Sequence, residues 1–337
     1  MSLRVGISGF GLAGRYFHGA LLASVGFEIV GAVTKNPDRI NNLRDDFPAA
    51  KAVPSIDELL DLGLDLLVVA SANSSHATDA IAGLRAGVPV VVDKPMGRTL
   101  EETLKIIDVS IETGVAVTTY FNRLWDSDIL TIRKALREGV IGEPFRFDSR
   151  FERFRPEPNP ESWRERSSAI DGGGNLLDLQ PHLISTALSL FGPAQLQYSS
   201  VRSIRGYSDD DVVLVLRHDM GVDSYLSASA IIGAPGPRIR LNGTKGSLVI
   251  NSLDPQESLL RAGKSPLGGN WKEETRSETF LYRGDERERY EAVPGNYALF
   301  YEAVKAAIAG EGAWPVEVNE IIEVAKILDQ AREMSAR

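Results

Sequence analysis

The sequence contains no cysteine, which excludes disulfide bonds, thiolate metal sites and cysteine nucleophiles at once. Basic residues are also few, because 37 lysines and arginines stand against 46 aspartates and glutamates, giving a net charge of −9. Such a balance does not provide the basic surface that nucleic acid or an anionic membrane would require. We therefore predict neither a nucleic-acid partner nor a membrane partner.

Long apolar runs are missing as well, since no stretch reaches the roughly eighteen apolar residues of a membrane-spanning helix. The chain begins Met1-Ser2-Leu3-Arg4 and enters a predicted strand at once, which leaves no room for a signal peptide. These features predict a cytoplasmic protein. With 337 residues, 43% of them hydrophobic and 25% charged, the chain has an ordinary globular composition and room for two domains.

A glycine-rich sequence follows the first predicted strand, residues 3–8, and precedes a predicted helix. It reads Gly9-Phe10-Gly11-Leu12-Ala13-Gly14, which is G-x-G-x-x-G in the context of a dinucleotide-binding loop. The first glycine permits a tight turn, the second lets backbone approach a pyrophosphate, and the third lets helix and strand pack closely. We predict that these six residues bind a dinucleotide, and a merely glycine-rich turn is the alternative.

The end of the second predicted strand, residues 27–33, indicates which dinucleotide is bound. An NAD-specific site would place Asp or Glu about twenty residues past the motif. The sequence there reads Thr34-Lys35-Asn36, with Arg39 shortly after. A hydroxyl, an amide and two cations suit a 2′-phosphate, because no acid repels it. We predict NADP, contacted by Thr34, Lys35, Asn36 and Arg39, while a solvated Lys35 and a site that also accepts NAD form the alternative.

A third buried strand is predicted over residues 64–70. It delivers Ser71, Asn73 and His76 to the edge of the sheet where ligands collect. We expect Ser71 and Asn73 to contact the cofactor, with Asn73 on the nicotinamide side. His76 either lines the cofactor as well or is structural and begins the following helix.

The next strand is the apolar run Val90-Val91-Val92, which ends at Asp93-Lys94-Pro95. A lysine fixed at the carboxyl end of a buried parallel strand is a candidate for chemistry, and Asp93 and Lys94 are both candidate cofactor contacts. The alternative is that Lys94 only caps the strand and faces water.

A second group of chemically competent residues lies in the run 171–182. Three glycines, Gly172 to Gly174, precede Asp178, Pro181 and His182. Proline is tolerated near the first turn of a helix, so we predict a helix that begins around residue 177 or 178. Residues four apart on a helix share a face, and a histidine beside an acid is a plausible proton-transfer site. A structural pair that ties the helix to the sheet is the alternative.

Alternating strands and helices over residues 3–120 predict a doubly wound parallel sheet. Beyond it, segments rich in β-formers and separated by turn residues predict a largely antiparallel sheet: 144–154, 195–204, 211–218, 222–232, 238–241 and 247–251.

We predict a Rossmann domain over residues 1–121. Residues 122–337 are expected to form an α+β substrate-binding and oligomerisation domain with a large open sheet, and the C-terminal helix is expected near the domain junction. An uncovered sheet face favours a homodimer or homotetramer.

These motifs together make the sequence resemble the Gfo/Idh/MocA oxidoreductase family over essentially its whole length. The glycine-rich loop, Asp93-Lys94-Pro95 in place of the usual Glu-Lys-Pro, and the Gly-Gly-Gly-x-Leu-x-Asp-x-x-x-His run carry the resemblance. Within the family, the sequence looks most like the NADP-dependent scyllo-inositol dehydrogenase branch. The segments behind this narrower resemblance are 91–95, 122–128, 153–156, 163–165, 253–257 and 293–297.

The resemblance implies an NAD(P)-dependent dehydrogenase that acts on a CH–OH group of a polyol, cyclitol or sugar. Lys94 would hydrogen-bond the reacting hydroxyl, Asp178 would orient Lys94 or a substrate hydroxyl, and His182 would take the proton. No metal is needed, because lysine and histidine stabilise the developing alkoxide. Further residues could shape a hydroxyl-rich pocket, with core packing or surface ion pairs as the alternative for each: Arg123, Trp125, Arg153, Trp163 and Tyr297.

Two other functions remain open from the sequence. An aldose 1-dehydrogenase, or a sugar oxidoreductase that recycles bound cofactor, would use the same residues. A non-catalytic NADP-binding sensor or regulator is less favoured, because Lys94, Asp178 and His182 are all present.

Overall fold

The computed structural model describes residues 2–159, 161–167 and 172–335. The described residues divide into two units. One unit is drawn from Met1–Tyr120, Gln256–Trp271 and Tyr297–Ile322. The other is drawn from Phe121–Pro255, Lys272–Asn296 and Glu323–Arg337. Among the described residues, no helix is both long enough and apolar enough to cross a bilayer.

The first unit is an alternation of strands and helices. Its strands are β1 (Arg4–Ser8), β2 (Glu28–Val33), β3 (Lys51–Val53), β4 (Leu66–Val69), β5 (Val90–Asp93) and β6 (Val117–Tyr120). Its helices include α1 (Ala20–Ser24), α2 (Pro37–Asp46), α3 (Ile56–Leu60), α4 (His76–Arg85) and α5 (Leu100–Thr113). Two later helices, α10 (Gln256–Arg261) and α12 (Ala298–Ile308), belong to the same unit.

The six strands form one parallel sheet in the order β3-β2-β1-β4-β5-β6, which confirms the predicted doubly wound fold. The apolar residues of β4 and β5 have no exposed surface, because helices cover both faces of such a sheet. β3 was not predicted. It has three residues, two of them exposed, and such a segment carries too little periodicity to be recognised.

The second unit combines helices with a second sheet. Its strands are β7 (Pro144–Glu152), β8 (Ala194–Arg202), β9 (Asp211–His218), β10 (Asp223–Ser229), β11 (Ile239–Gly243), β12 (Gly246–Ile250), β13 (Thr279–Arg283) and β14 (Glu286–Arg289). Its helices are α6 (Ser127–Glu138), α7 (Trp163–Arg166), α8 (Asn175–Asp178) and α9 (Gln180–Phe191). Both α11 (Trp271–Glu274) and α13 (Val318–Ser335) include residues of each unit.

The second sheet has eight strands in the order β14-β13-β12-β11-β7-β10-β9-β8. Every neighbouring pair is antiparallel except β7 and β10, so the prediction of a mostly antiparallel sheet is confirmed. β13 and β14 were missed by the sequence analysis. The residues of β14 are Glu, Arg, Glu and Arg, all exposed, so its strand conformation depends on pairing with β13 rather than on an apolar pattern.

The two faces of this sheet differ in burial. Leu214, Leu216 and Leu226 alternate onto one face and are fully buried, and α9 packs on that side. Val215 and Tyr225, which pair across β9 and β10, lie on the opposite face and are only half-buried. The alternation therefore separates a core face from an open face, as expected for an antiparallel sheet.

Candidate active site

The glycine-rich loop joins β1 to a π-helical turn, Ala13–Gly19, that continues as α1. Gly9 has a φ of +92°, and a Cβ there would lie 2.7 Å from the carbonyl oxygen of Ala70. A Cβ on Gly14 would lie 2.0 Å from the carbonyl oxygen of Gly9. Neither position can hold a larger residue, so the backbone turns as closely as a pyrophosphate-binding loop requires.

Gly11 faces the guanidinium group of Arg39. A Cβ on Gly11 would lie 3.7 Å from Cζ of Arg39, and the three atoms nearest to that position all belong to Arg39. Phe10 anchors the loop, since its buried ring packs edge-on against Phe47 with centroids 6.2 Å apart. Leu12 is exposed and Ala13 is half-buried. Backbone that is open beside a cation fits a phosphate-bearing dinucleotide.

The residues after β2 form the cap of α2. Thr34 is buried, and its hydroxyl accepts the N–H of Asn36 at 3.3 Å. The side chain of Asn36 accepts the N–H of Arg39 at 3.1 Å, which satisfies a free donor at the start of the helix. Lys35 and Arg39 are exposed, so the predicted cations are available at the end of β2.

The ends of β1 and β4 are tied together by Asp79 of α4. Its Oδ2 accepts the hydroxyl of Ser8 at 2.6 Å and the hydroxyl of Ser71 at 3.0 Å. Asn73 is half-buried and begins a 3₁₀ turn, Asn73–Ser75, that leads into α4. These contacts fix the strand ends against which a nucleotide would lie.

His76 links the end of β4 to the segment after β5. Its ring is buried, with Nδ1 2.9 Å from the carbonyl oxygen of Pro95 and Nε2 3.2 Å from that of Ser71. Burial lowers the pKa of His76, although Asp93 and the two carbonyl groups act in the opposite direction. His76 thus links the loop after β4 to the loop after β5 through its two ring nitrogens.

Asp93 ends β5, and a cis peptide bond joins Lys94 to Pro95. Oδ1 of Asp93 accepts the N–H of Lys94 at 2.8 Å, while Oδ2 lies 3.7 Å from Nε2 of His18. Burial would raise the pKa of Asp93, but the contact with His18 and the charges of Lys94 and His76 outweigh it and lower the pKa to about 2. Asp93 is therefore ionised at neutral pH beside the half-buried Lys94.

In the second unit, Asp178 and His182 belong to two separate helices. The prediction of one helix beginning at residue 177 or 178 was wrong, because α8 ends at Asp178 and α9 begins at Gln180. Pro181 has no N–H to donate to the carbonyl of Leu177, so the helical hydrogen bonding is interrupted at that point. Asp178 and His182 thus lie on either side of a helix junction rather than on one helical face.

The two candidate groups differ in their surroundings. Asp178 is half-buried, and its Oδ1 lies 3.3 Å from Nε of Arg164. His182 is buried, and its ring meets the ring of Phe151 edge-on with centroids 6.1 Å apart. The carbonyl of His182 accepts the hydroxyl of Thr186 at 2.9 Å. Asp178 is held in place by its ion pair with Arg164. His182 is held in place by packing against Phe151.

Asp209 fixes the start of α8. Its backbone carbonyl accepts the N–H of Asn175 at 2.9 Å, and its Oδ1 accepts the N–H of Leu176 at 2.7 Å. Burial raises the pKa of Asp209 to about 6, although the Leu176 hydrogen bond and the charge of Arg332 oppose the shift. The geometry of α8, and with it the position of Asp178, depends on this carboxyl group.

Among the residues predicted to shape a pocket, Arg123 is buried. Its Nη1 lies 3.3 Å from Oδ2 of the fully buried Asp126. Its guanidinium carbon is 5.7 Å from the ring centroid of Phe151, the residue that also contacts His182. Arg123 therefore belongs to the packing around His182 within the second unit.

The other four residues of that prediction are dispersed. Trp125 is half-buried, and its carbonyl accepts the N–H of Asn296 at 3.0 Å. Arg153 is exposed just after β7. Tyr297 is fully buried in the first unit, and its own N–H donates to Gln256. Trp163 begins α7, but its side chain lies outside the described residues. The pocket role of these residues stays a prediction.

Sequence reasoning missed four residues that the structure places at these sites: His18, Asp79, Asp209 and Tyr301. Asp209 stands in a run of three aspartates, a pattern more typical of a solvated turn. His18 carried a weak signal as one of only four histidines in the chain, four residues after the last glycine of the loop. Tyr301, whose hydroxyl lies 2.5 Å from Nδ1 of His18, is remote from it in sequence, so nothing local could reveal it.

Comparison with known proteins adds independent information. A family model described as "Oxidoreductase family, NAD-binding Rossmann fold" matches residues 3–121. A second model, described as "GFO/IDH/MocA C-terminal domain", matches residues 129–249. The two matches together cover most of the chain.

Individual relatives are similar over their full lengths. The chain is 32% identical to the oxidoreductase YdgJ of Escherichia coli (strain K12), over 97% of this chain and 95% of that protein. It is 32% identical to scyllo-inositol 2-dehydrogenase (NADP(+)) IolW of Bacillus subtilis (strain 168), over 99% of this chain and 94% of that protein. Among solved structures, the oxidoreductase yvaA of Bacillus subtilis superposes with a TM-score of 0.89 at 30% identity, covering 99% of this chain and 98% of that one.

The raised pKa of Asp209 predicts a specific pH dependence of stability. A folded-state pKa of about 6, above the ordinary 3.8, means that the folded chain binds this proton more tightly than the unfolded chain does. The resulting stabilisation is complete below about pH 4 and is lost as the pH rises through about 6. It amounts to at most about 3 kcal/mol, at about 1.4 kcal/mol per pKa unit.

We therefore expect Asp209→Asn to show a smaller fall in the free energy of unfolding between about pH 4 and pH 7 than the wild type. Urea denaturation at several pH values measures this. Asp219→Asn, which replaces an exposed carboxylate, is the matched control and should follow the wild type. An Asp209→Asn profile parallel to the wild type would show that the carboxyl is not buried in the folded chain.

Proposed function

Because the chain belongs to the Gfo/Idh/MocA oxidoreductase family, we propose that it transfers hydride between NADP and a hydroxyl or keto carbon of a cyclitol or sugar. The chain is an oxidoreductase with an NAD-binding Rossmann domain, of the class that acts on CH–OH groups. The observation that carries the proposal is the position of Lys94. It follows a buried parallel strand at the sheet edge that also presents the glycine-rich loop.

The preference for NADP is supported by charge. Arg39 stands beside Gly11, and Lys35 is exposed at the end of β2, so two cations are available to a 2′-phosphate. No carboxylate occupies positions 34–36 to hydrogen-bond an unphosphorylated ribose. The relative IolW carries NADP(+) in its name, which agrees with this choice. NAD is the alternative cofactor.

The proposed chemistry divides between the two halves of the chain. Bound NADP supplies a nicotinamide carbon that accepts or returns the hydride. The ammonium group of Lys94 donates a hydrogen bond to the reacting oxygen and stabilises the negative charge that develops there. The imidazole of His182 takes the hydroxyl proton in the oxidation direction, because a neutral ring can accept it near pH 7. The carboxylate of Asp178 orients a substrate hydroxyl.

The substrate class rests on the relatives. The protein IolW is named a scyllo-inositol 2-dehydrogenase, and a relative from Thermotoga maritima with 26% identity over 74% of this chain is named a myo-inositol 2-dehydrogenase. We therefore assign substrate binding to residues 122–337 and place cyclitols first. An aldose 1-dehydrogenase or cofactor-recycling sugar oxidoreductase is the second candidate, and a catalytically silent NADP sensor is the third.

Cofactor choice can be tested on Arg39. Removing its charge in Arg39→Ala should weaken NADPH binding about tenfold and leave NADH binding nearly unchanged, because only NADPH carries the 2′-phosphate. Calorimetric titration measures both affinities. Arg44→Ala, an exposed arginine on the same helix, should bind both cofactors like the wild type. Equal wild-type affinity for NADH and NADPH would remove NADP from the proposal.

The catalytic roles predict a separation of binding from turnover. Lys94→Ala and His182→Ala should each lower kcat by a factor of at least about 100, while NADPH affinity stays close to the wild type. Initial rates with a panel of inositols, aldoses and their keto forms, using both cofactors, measure this. Lys105→Ala, an exposed helical lysine paired with Glu101, is the control.

The outcome of the panel separates the three candidates. Turnover of inositols supports the first, and activity on glucose or galactose alone selects the aldose dehydrogenase. Tight NADPH binding with no turnover of any compound favours the sensor. Rates like the wild type in Lys94→Ala or His182→Ala would eliminate the proposed mechanism.

We also propose that the open face of the second sheet forms a homodimer contact, with a homotetramer as the alternative. Asp148 on this face is 1% exposed between Arg146 at 2.9 Å and Arg150 at 3.2 Å. The Arg146 guanidinium lies over the ring of Tyr225, 4.4 Å from its centroid, beside the half-buried Val215. A fixed surface of aromatic, aliphatic and paired charged groups suits a self-complementary contact.

Light scattering should therefore give a mass of two or four 36.7 kDa chains. Tyr225→Lys should shift the protein towards monomer, because it puts a charge in the centre of the contact. Met220→Lys, on an exposed turn at the edge of the same strands, should leave the mass unchanged. A monomeric wild type at micromolar concentration would refute the proposed contact.

A further inference from the structure

A buried cluster of polar rings lies beneath the glycine-rich loop. We call it the His18 cluster; it consists of His18, Tyr120, Tyr301 and Asp93, all within the first unit. His18 and Tyr301 have no exposed surface, Tyr120 is 2% exposed, and the Asp93 side chain is 18% exposed. Polar groups are expensive to bury unless they are paired, so such a cluster needs a physical explanation.

Local backbone geometry brings His18 to this place. Residues Ala13–Gly19 form a π-helical turn, which is wider than an α-helical one and is rare outside functional sites. Gly14 within the turn packs on the carbonyl of Gly9, which holds the turn against the sheet. His18 is consequently buried near the end of β5 instead of pointing to solvent from the surface of a helix.

One polar atom of the imidazole has a hydrogen-bond partner, and the other lies near a carboxylate but beyond hydrogen-bond distance. Nδ1 of His18 lies 2.5 Å from the hydroxyl of Tyr301, and Nε2 lies 3.7 Å from Oδ2 of Asp93. The rings are packed as well, since Tyr120 is 4.6 Å from the His18 ring and stacks on Tyr301 at 5.7 Å. Burial, with Tyr120 and the charge of Asp93, raises the pKa of Tyr301, so its hydroxyl stays protonated and able to donate.

The protonated hydroxyl of Tyr301 can donate to Nδ1 or accept from it, so the tautomer of His18 sets the direction of this contact. The Asp93 carboxylate beside Nε2 favours the tautomer in which the Tyr301 hydroxyl donates to Nδ1. When the Tyr301 hydroxyl donates to Nδ1, the proton of a neutral His18 is on Nε2 and points to the Asp93 carboxylate. The other oxygen of that carboxylate accepts the N–H of Lys94 at 2.8 Å. The cluster therefore forms a continuous chain of contacts, Tyr301 to His18 to Asp93 to the backbone of Lys94.

We propose that His18 and Tyr301 are positioning residues for Lys94, holding the Asp93 carboxylate in the orientation that fixes the Lys94 backbone. This inference rests on the proposed function, because it gives Lys94 the role of contacting the reacting oxygen. The role of His18 is to present an N–H at the position of Nε2, and the role of Tyr301 is to select the tautomer that has it. A ring that served only to fill space would need neither group.

Substitutions at His18 distinguish positioning from packing. The amide nitrogen of Gln can donate from near the position of Nε2, whereas Leu fills similar space without a donor. We expect His18→Leu to lower kcat about tenfold and His18→Gln to retain kcat within about threefold, with the Kd for NADPH nearly unchanged in both. His218→Gln is the matched control. It replaces a buried histidine bonded to Gly192 and Ser224 in the other unit, and it should lower the melting temperature without changing kcat.

Two measurements do not depend on turnover. Side-chain ¹⁵N spectra of the four histidines should show His18 with its proton on Nε2, and Tyr301→Phe should reduce that preference. Exchange of the Lys94 amide proton should be faster in His18→Leu than in His18→Gln or the wild type, because the Asp93 acceptor is no longer held. Both results would support the inference even if the substrate assignment proved wrong.

Other results would contradict the proposed roles of His18 and Tyr301. Equal kcat and equal Lys94 amide exchange in His18→Gln and His18→Leu would reduce His18 to a packing residue. A His18 tautomer unaffected by Tyr301→Phe would remove Tyr301 from the chain of contacts. If the wild type turned over no polyol or sugar, the proposed function would fail, while the spectra and the amide exchange would still decide whether the cluster holds Lys94 in place.

Discussion

The negative charge of Asp93 is the feature on which the backbone geometry at the end of β5 depends. The side chain lies at the end of a strand whose apolar residues have no exposed surface, where burial alone would favour a neutral carboxyl. Contacts with His18 and the charges of Lys94 and His76 keep it ionised, and an ionised Asp93 in turn holds the Lys94 backbone. The ionised Asp93 thereby holds Lys94 at the edge of the sheet, where apolar packing could not hold a charged residue.

At the same edge of the first sheet, residues from several elements together form the candidate nucleotide-binding site. Gly9 and Gly14 let the loop fold tightly, and Arg39, from α2, stands beside Gly11. Asp79, from α4, ties the strand ends through the hydroxyls of Ser8 and Ser71. Each contribution is small, but together they fix backbone donors and a cation before any ligand arrives. Preorganisation of this kind lowers the cost of ordering a site on binding.

In the second unit, Asp178 and His182 lie on either side of a break between two helices and not within one regular helix. Pro181 breaks the helix between Asp178 and His182, and Asp209 supplies an acceptor for the first free N–H groups of α8. A half-buried carboxyl serves as a backbone acceptor in both units, on Lys94 in one and at the start of α8 in the other. In each case the acid holds backbone close to a candidate functional residue.

The sequence by itself determined the features that are local in the chain. The glycine loop, the strand ending at Asp93 and the alternation in β9 and β10 each depend on a few consecutive residues, and the fold class followed from them. Only the tertiary structure decided the strand conformation of β14 and the contacts of His18 with Tyr301. These depend on pairing or burial between residues distant in sequence, and neither propensity nor periodicity encodes which distant groups will meet.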